Sequence, residues 1–122
     1  PTLIPKDIDK LPGVRVSYDL DAEIPDADFI NVLRVQKERM ESGLIPSLAE
    51  YIKFYSLNAA RMARAKKDVV IMHPGPINRG IEITSEVADG PNNVILEQVT
   101  NGVAVRTAIL FLLLGGKIKN RN

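Results

Sequence analysis

The chain has 122 residues, 45% hydrophobic and 25% charged, and its sixteen basic residues against fifteen acidic leave a net charge of +1. That is enough for one domain with one core, and the near balance of charge removes the electrostatic case for nucleic acid or an anionic membrane surface. With no cysteine and one histidine, disulfides, thiolate catalysis and cysteine metal sites are excluded, a protein zinc site is disfavoured, and a reducing compartment fits.

The longest unbroken apolar run, Ala108 to Leu114, is far below the roughly 20 residues that cross a bilayer, and nothing has the layout of a signal peptide. The chain opens on Pro1-Thr2-Leu3 without a methionine, which reads as a processed or excised piece.

Lys6 to Leu11 is a short helix stopped by Pro12-Gly13, and Val14-Arg15-Val16-Ser17-Tyr18 alternates apolar with polar, as in a half-exposed edge strand. Asp19 to Ala27 suits a solvated helical turn, and Asp28 to Leu33 is a second, more central strand. Lys37 to Ser42 forms a helical turn closed by Gly43, and Pro46 to Tyr55 sets Leu48, Ile52 and Tyr55 on one buried helical face. Asn58 caps a helix over Ala59 to Lys66. Asp68 to Met72 is short, apolar and mostly β-branched, the pattern of a strand buried on both faces of a parallel sheet. Thr84 caps a short helix, Ser85 to Ala88, ended by Asp89-Gly90-Pro91. Val94 to Leu114 is one long helix stopped by Gly115-Gly116, apolar almost all round in its last turns, so that further protein must cover it. There is no internal repeat.

After Met72 comes His73-Pro74-Gly75-Pro76-Ile77-Asn78-Arg79-Gly80. Pro74 and Pro76 lack N–H groups and stop the strand, leaving carbonyls to face something other than a ladder partner. The loop is either a stiff turn or a ligand site beyond a strand's carboxyl end, where open α/β sheets bind ligands. Arg34 leaves the second strand at the same edge; its rigid donor fork suits a carboxylate, and Gln36 adds an amide on the same face. Taken by itself, an arginine in such a place is more often a surface or ion-paired residue. Glu38 and Glu82 are candidates to orient it, the alternative being two solvated glutamates. His73 can donate a hydrogen bond into its own loop, a structural role.

Arg34-Val35-Gln36-Lys37-Glu38-Arg39, Met72 to Ile83, and Val99-Thr100-Asn101-Gly102-Val103-Ala104-Val105-Arg106 resemble the C-terminal aspartate-binding domain of bacterial aspartate carbamoyltransferase catalytic chains. The resemblance covers nearly the whole chain. It implies an α/β fold with a Rossmann-like parallel sheet and flanking helices, and transfer of the carbamoyl group of carbamoyl phosphate to L-aspartate in UMP biosynthesis. It further implies that Arg34 and Gln36 bind aspartate, that Pro74 and Gly75 offer carbonyls to the carbamoyl amide, and that Pro76 follows a cis peptide. No metal or organic cofactor is implied.

Members of the family run to about 300 residues in two domains, more than one core of this size holds. The resemblance therefore divides the chain into residues 1–93, an aspartate-binding domain without its first strands, and 94–122, a long helix packing back toward an absent carbamoyl-phosphate domain. It also implies the remainder of the catalytic chain as a partner and a cytoplasmic homotrimer, in some assemblies with dihydroorotase-like or regulatory chains. Ornithine carbamoyltransferases carry cysteine where this chain has Pro74, which argues for aspartate. The rivals are a transferase for another amino acid and a non-catalytic assembly module.

Overall fold

β-Branched side chains crowd the segment from Val69 to Ile71, and the other elements assemble around them. In the computed structural model, which describes residues 4–5, 7–36 and 47–115, Val70–Met72 forms strand β2. It pairs in parallel with β1, Phe29–Asn31, in the register Phe29 to Val70, Ile30 to Ile71 and Asn31 to Met72. The Val32 N–H extends the ladder, donating to the Met72 carbonyl at 2.8 Å. On the other side of β2, Ile71 donates to the Asn92 carbonyl and accepts from the Val94 N–H, both at 2.9 Å. β2 is thus central, with Val69 and Ile71 buried, as its apolar run predicts.

The helices are α1 (Leu20–Glu23), α2 (Leu48–Tyr55), α3 (Ala59–Met62), α4 (Ser85–Ala88) and α5 (Ile95–Leu113), with 3₁₀ turns at Ile8–Lys10 and Ile24–Asp26. Side-chain caps start three of them. Asp19 accepts from the Ala22 N–H at 3.1 Å, Ser47 from Glu50 at 3.0 Å and Asn58 from Arg61 at 3.0 Å, each satisfying an amide that the helix cannot. Thr84 stands at the N-cap of α4 without capping it; its hydroxyl turns to the Glu86 carboxylate at 3.3 Å. Gly115, at φ +83, ends α5, the left-handed position where glycine carries no Cβ penalty.

The core joins Ile24, Leu57, Val69, Ile71, Ile83, Val87, Ala88 and Ile95, drawn from β2, α4, the start of α5 and the turns beside them. Each fully buried Val, Leu or Ile contributes about 1.5–3 kcal/mol. Two backbone bonds bring Leu57 and Ile83 together: Leu57 donates to the Glu82 carbonyl at 2.9 Å, and Thr84 donates to the Leu57 carbonyl at 3.0 Å.

Several expectations change. Val14 to Tyr18 is not a strand, because alternation marks only a face and no neighbouring strand lies beside it among the described residues. β1 is not a buried central strand: Phe29 is 67% exposed and the following Leu33 is 64% exposed. α2 is half-buried at Leu48 and Ile52, and Tyr55 is exposed. α3 is one turn rather than two. The turn expected at 37–42 lies outside the described residues. α5 keeps its expected span, but with only Ile95 buried it is, by length and composition, long and apolar enough to cross a membrane; counting unbroken apolar residues misses this because Arg106 and Thr107 divide the run.

Arg61 is the buried cation that ties the helical layer together. Its Nη2 donates to the Lys53 and Phe54 carbonyls at 3.0 Å, its Nη1 to Ser56 at 2.5 Å, and its Nε to Asp21 at 2.8 Å, so one side chain closes α2 and holds α1 against it. Replacing Arg61 with Met keeps the stem and orphans three carbonyls; we expect a loss of about 3 kcal/mol in urea unfolding. Hydrogen bonds from Arg61, with help from Arg64, lower the Asp21 pKa from 3.8 to about 2. A depressed folded pKa gives stability that is whole above the unfolded value and lost as pH falls through the folded one. The stability difference between wild type and Asp21→Asn is therefore expected to be constant from neutral pH to just above 4 and to vanish toward pH 2, as read by denaturant midpoints across pH.

Candidate functional site

Because β1 and β2 are parallel, their carboxyl ends leave the sheet on the same side, and the segments that follow meet there. Asn78 makes the junction. Its side-chain amide donates to the Val35 carbonyl at 2.8 Å, and its backbone N–H donates to Glu82 Oε1 at 2.6 Å. The residues flanking Val35 are Arg34, half-buried, and Gln36, exposed. The segment that carries Arg34 is thus joined, through the Val35 backbone, to the proline-glycine-proline loop.

The loop has an unusual backbone. The Gly75–Pro76 peptide is cis, and Gly75 has φ +67, a conformation that L side chains rarely adopt. A Cβ there would lie 3.5 Å from Val99 Cγ2 on α5, in ordinary contact, so the requirement for glycine comes from the torsion rather than the space. Among the described residues the Pro74, Gly75 and Pro76 carbonyls accept no hydrogen bond. They are acceptors left open at the mouth of the sheet.

Beneath them lies a polar floor with no solvent exposure. His73 and Glu82 are both 0% exposed. The His73 N–H donates to Gln98 Oε1 at 2.7 Å, His73 Nδ1 accepts from the Gly75 N–H at 2.9 Å, and Nε2 lies 3.4 Å from Glu82 Oε1. Burial pushes the Tyr51 hydroxyl pKa up, and the Glu82 and Tyr55 charges add to it. Arg79 grips Asp89 with two bonds, of 2.7 and 2.8 Å, lowering the Asp89 pKa and stapling the loop's far end to the end of α4.

Two expectations about supporting residues are redirected. His73 accepts from its loop through Nδ1 rather than donating into it. Glu82, expected to orient Arg34, directs its Oε1 to Asn78 and His73. Glu38 lies outside the described residues. Sequence reasoning passed over Asn78 and Gln98, since a polar side chain whose partners are distant backbone groups leaves no periodic mark.

Residues 8–113 match the family model described as the Asp/Orn-binding domain of aspartate/ornithine carbamoyltransferase. The chain is 58% identical over 114 residues to the aspartate carbamoyltransferase catalytic subunit of Syntrophus aciditrophicus, covering 93% of this chain and 37% of that one. It is 56% identical to the same subunit of Endomicrobium trichonymphae, covering 100% and 38%. The chain thus spans little more than a third of the length of these relatives. Among solved structures it resembles ornithine carbamoyltransferase from Pyrococcus furiosus (TM-score 0.65, 30% identity, covering 82% of this chain and 32% of that one). It also resembles Trypanosoma cruzi aspartate transcarbamoylase in complex with N-(phosphonacetyl)-L-aspartic acid (TM-score 0.61, 32% identity, covering 75% and 27%).

The Asn78 junction gives a direct test. Asn78→Ala retains the backbone bond to Glu82 but removes the donor to Val35; we expect about 1–1.5 kcal/mol of lost stability, read by thermal melting, with faster amide exchange at residues 32–36.

Proposed function

Because the chain belongs to the aspartate/ornithine carbamoyltransferase family through the Asp/Orn-binding domain, we propose that it is the acceptor-binding part of an aspartate carbamoyltransferase catalytic chain. The observation that carries this reading is the Asn78–Val35 bond, which holds the arginine-bearing segment against a loop of open carbonyls. A carboxylate and an amide are the two groups such a crevice recognises.

In the reaction, the α-amine of L-aspartate attacks the carbonyl carbon of carbamoyl phosphate. A C–N bond forms, the C–O bond to phosphate breaks, the phosphate leaves with the bonding pair, and the amine gives up a proton. Arg34 presents its fork to an aspartate carboxylate and Gln36 its amide beside it. The Pro74 and Gly75 carbonyls accept the two N–H groups of the carbamoyl amide, and Pro76 closes the loop that presents them. The groups that hold phosphate come from the remainder of the catalytic chain and from a neighbouring subunit of a homotrimer. Rate enhancement then rests on positioning and on stabilising charge on the leaving phosphate, and this half alone does not turn over. The apolar end of α5 packs against the carbamoyl-phosphate half. We place the enzyme in the cytoplasm, at the carbamoyl-aspartate step of pyrimidine synthesis.

Aspartate is favoured as acceptor by curated relatives at 54–58% identity that are named aspartate carbamoyltransferase catalytic subunit. Transfer to ornithine is the second reading, favoured by the likeness to the Pyrococcus furiosus enzyme. Titration of the full-length enzyme with N-(phosphonacetyl)-L-aspartic acid separates them: tight binding supports aspartate transfer, and none refutes it. Arg34→Ala removes a charge-assisted bond of about 1.5–3 kcal/mol, a rise in the aspartate KM of about tenfold to a hundredfold; unchanged aspartate saturation excludes the role given to Arg34.

A further inference from the structure

The buried pair under the loop has no place in that binding scheme, yet it is the most heavily desolvated polar pair among the described residues. Glu82 and His73 are completely buried, and both Glu82 Oε2 and His73 Nε2 lack a hydrogen-bond partner among the described residues. Burying two such groups is costly unless their arrangement is used.

The geometry shows what the arrangement does. His73 Nδ1 accepts from the Gly75 N–H at 2.9 Å, so Nδ1 must carry a lone pair, and a neutral imidazole then has its proton on Nε2. Nε2 faces Glu82 Oε1 at 3.4 Å, a charge that favours a proton on that side of the ring. The Gly75 N–H belongs to the same peptide unit as the Pro74 carbonyl. That unit is trans, since among the described residues the Gly75–Pro76 bond is the cis peptide, and in a trans unit N–H and C=O point in opposite directions. Drawing the N–H inward onto His73 turns the Pro74 oxygen outward. Glycine at φ +67 offers little torsional resistance of its own, so without this bond the peptide plane is free to tilt.

We propose that His73 and Glu82 are positioning residues: Glu82 selects the Nε2-protonated tautomer of His73, and His73 Nδ1 thereby aims the Pro74 carbonyl at the substrate amide. The inference rests on the carbamoyl-binding role given above to the loop. It extends that role to two buried residues that touch no substrate. The relation is the one by which outer groups orient inner ones at metal and acyl-transfer sites, transposed to a backbone carbonyl.

Two substitutions divide the imidazole into its halves. His73→Asn places Oδ1 where Nδ1 stood and keeps an acceptor for Gly75, whereas His73→Gln reaches Glu82 but loses that acceptor. In the full-length enzyme His73→Gln is expected to lower kcat about a hundredfold, the scale of a misplaced reacting group, with aspartate KM moving far less, and His73→Asn to recover most of the loss. Equal kcat in wild type and His73→Gln overturns the proposal. So does equal loss in both variants. A second readout needs no turnover. Nitrogen-15 spectra of the His73 ring, assigned by difference from His73→Asn, should show Nε2 protonated in wild type and a mixed tautomer in Glu82→Gln; a proton on Nδ1 in wild type, or no change in Glu82→Gln, overturns it. If the enzyme transfers no carbamoyl group to aspartate, the substrate reading fails alone, and the ring spectra still decide the positioning claim.

Discussion

The candidate site depends on Asn78 being held at both ends. Its backbone N–H is bound by a buried carboxylate, and its side-chain amide reaches the backbone of another segment. One bond fixes the loop's curvature, and the other fixes where the Arg34 segment lies against it. Neither strand could do this, since β1 and β2 share only three residue pairs and beyond the Val32–Met72 bond the chain has left the ladder. A parallel sheet brings two chain ends to one side; a specific side-chain bond is needed to turn proximity into a site.

The parts of the fold legible in the sequence are those whose cause is local. β2 was visible because strands buried on both faces are continuously apolar, and the loop because two prolines and a glycine leave the backbone few choices. The Asn58 cap was visible for the same reason, and Gly115 ended α5 as expected. Val14 to Tyr18 was misread because alternation describes one face of a strand and is silent about whether a partner stands beside it. Arg61 was invisible altogether: in sequence it is an ordinary helix former, and its significance lies in three carbonyls and a carboxylate contributed by residues 5 to 40 positions away.

The site followed the same division. Arg34 and the loop stand out as candidates by their positions at strand ends, whereas Glu82, paired with Arg34 on charge alone, turns instead to Asn78 and His73. Glu82 looked like a mate for an arginine because opposite charges invite pairing on paper. In the fold its backbone is fixed by the bond from Leu57, which delivers the carboxylate under the loop, to a backbone amide and an imidazole. A buried acceptor goes where unsatisfied donors are, and that cannot be read without knowing which amides the loop has taken out of the ladder.

α5 poses the remaining physical question, since nineteen residues with one buried side chain cannot be a finished surface. Length and composition alone would allow the helix to cross a membrane. The charges argue otherwise. Glu97 sits in its first turn and Arg106 near its middle, and a central arginine costs about 2.5–3.5 kcal/mol on insertion scales. Gln98 is also committed to His73, which ties the start of the helix to the floor of the site. A bilayer would have to accept a helix anchored to a folded sheet at one end and charged near its centre. A second protein surface meets the same apolar need while leaving the polar residues at its rim. The exposed apolar helix therefore fits a second protein surface better than a bilayer, and its anchoring through Gln98 ties whatever covers it to the floor of the proline-glycine-proline loop.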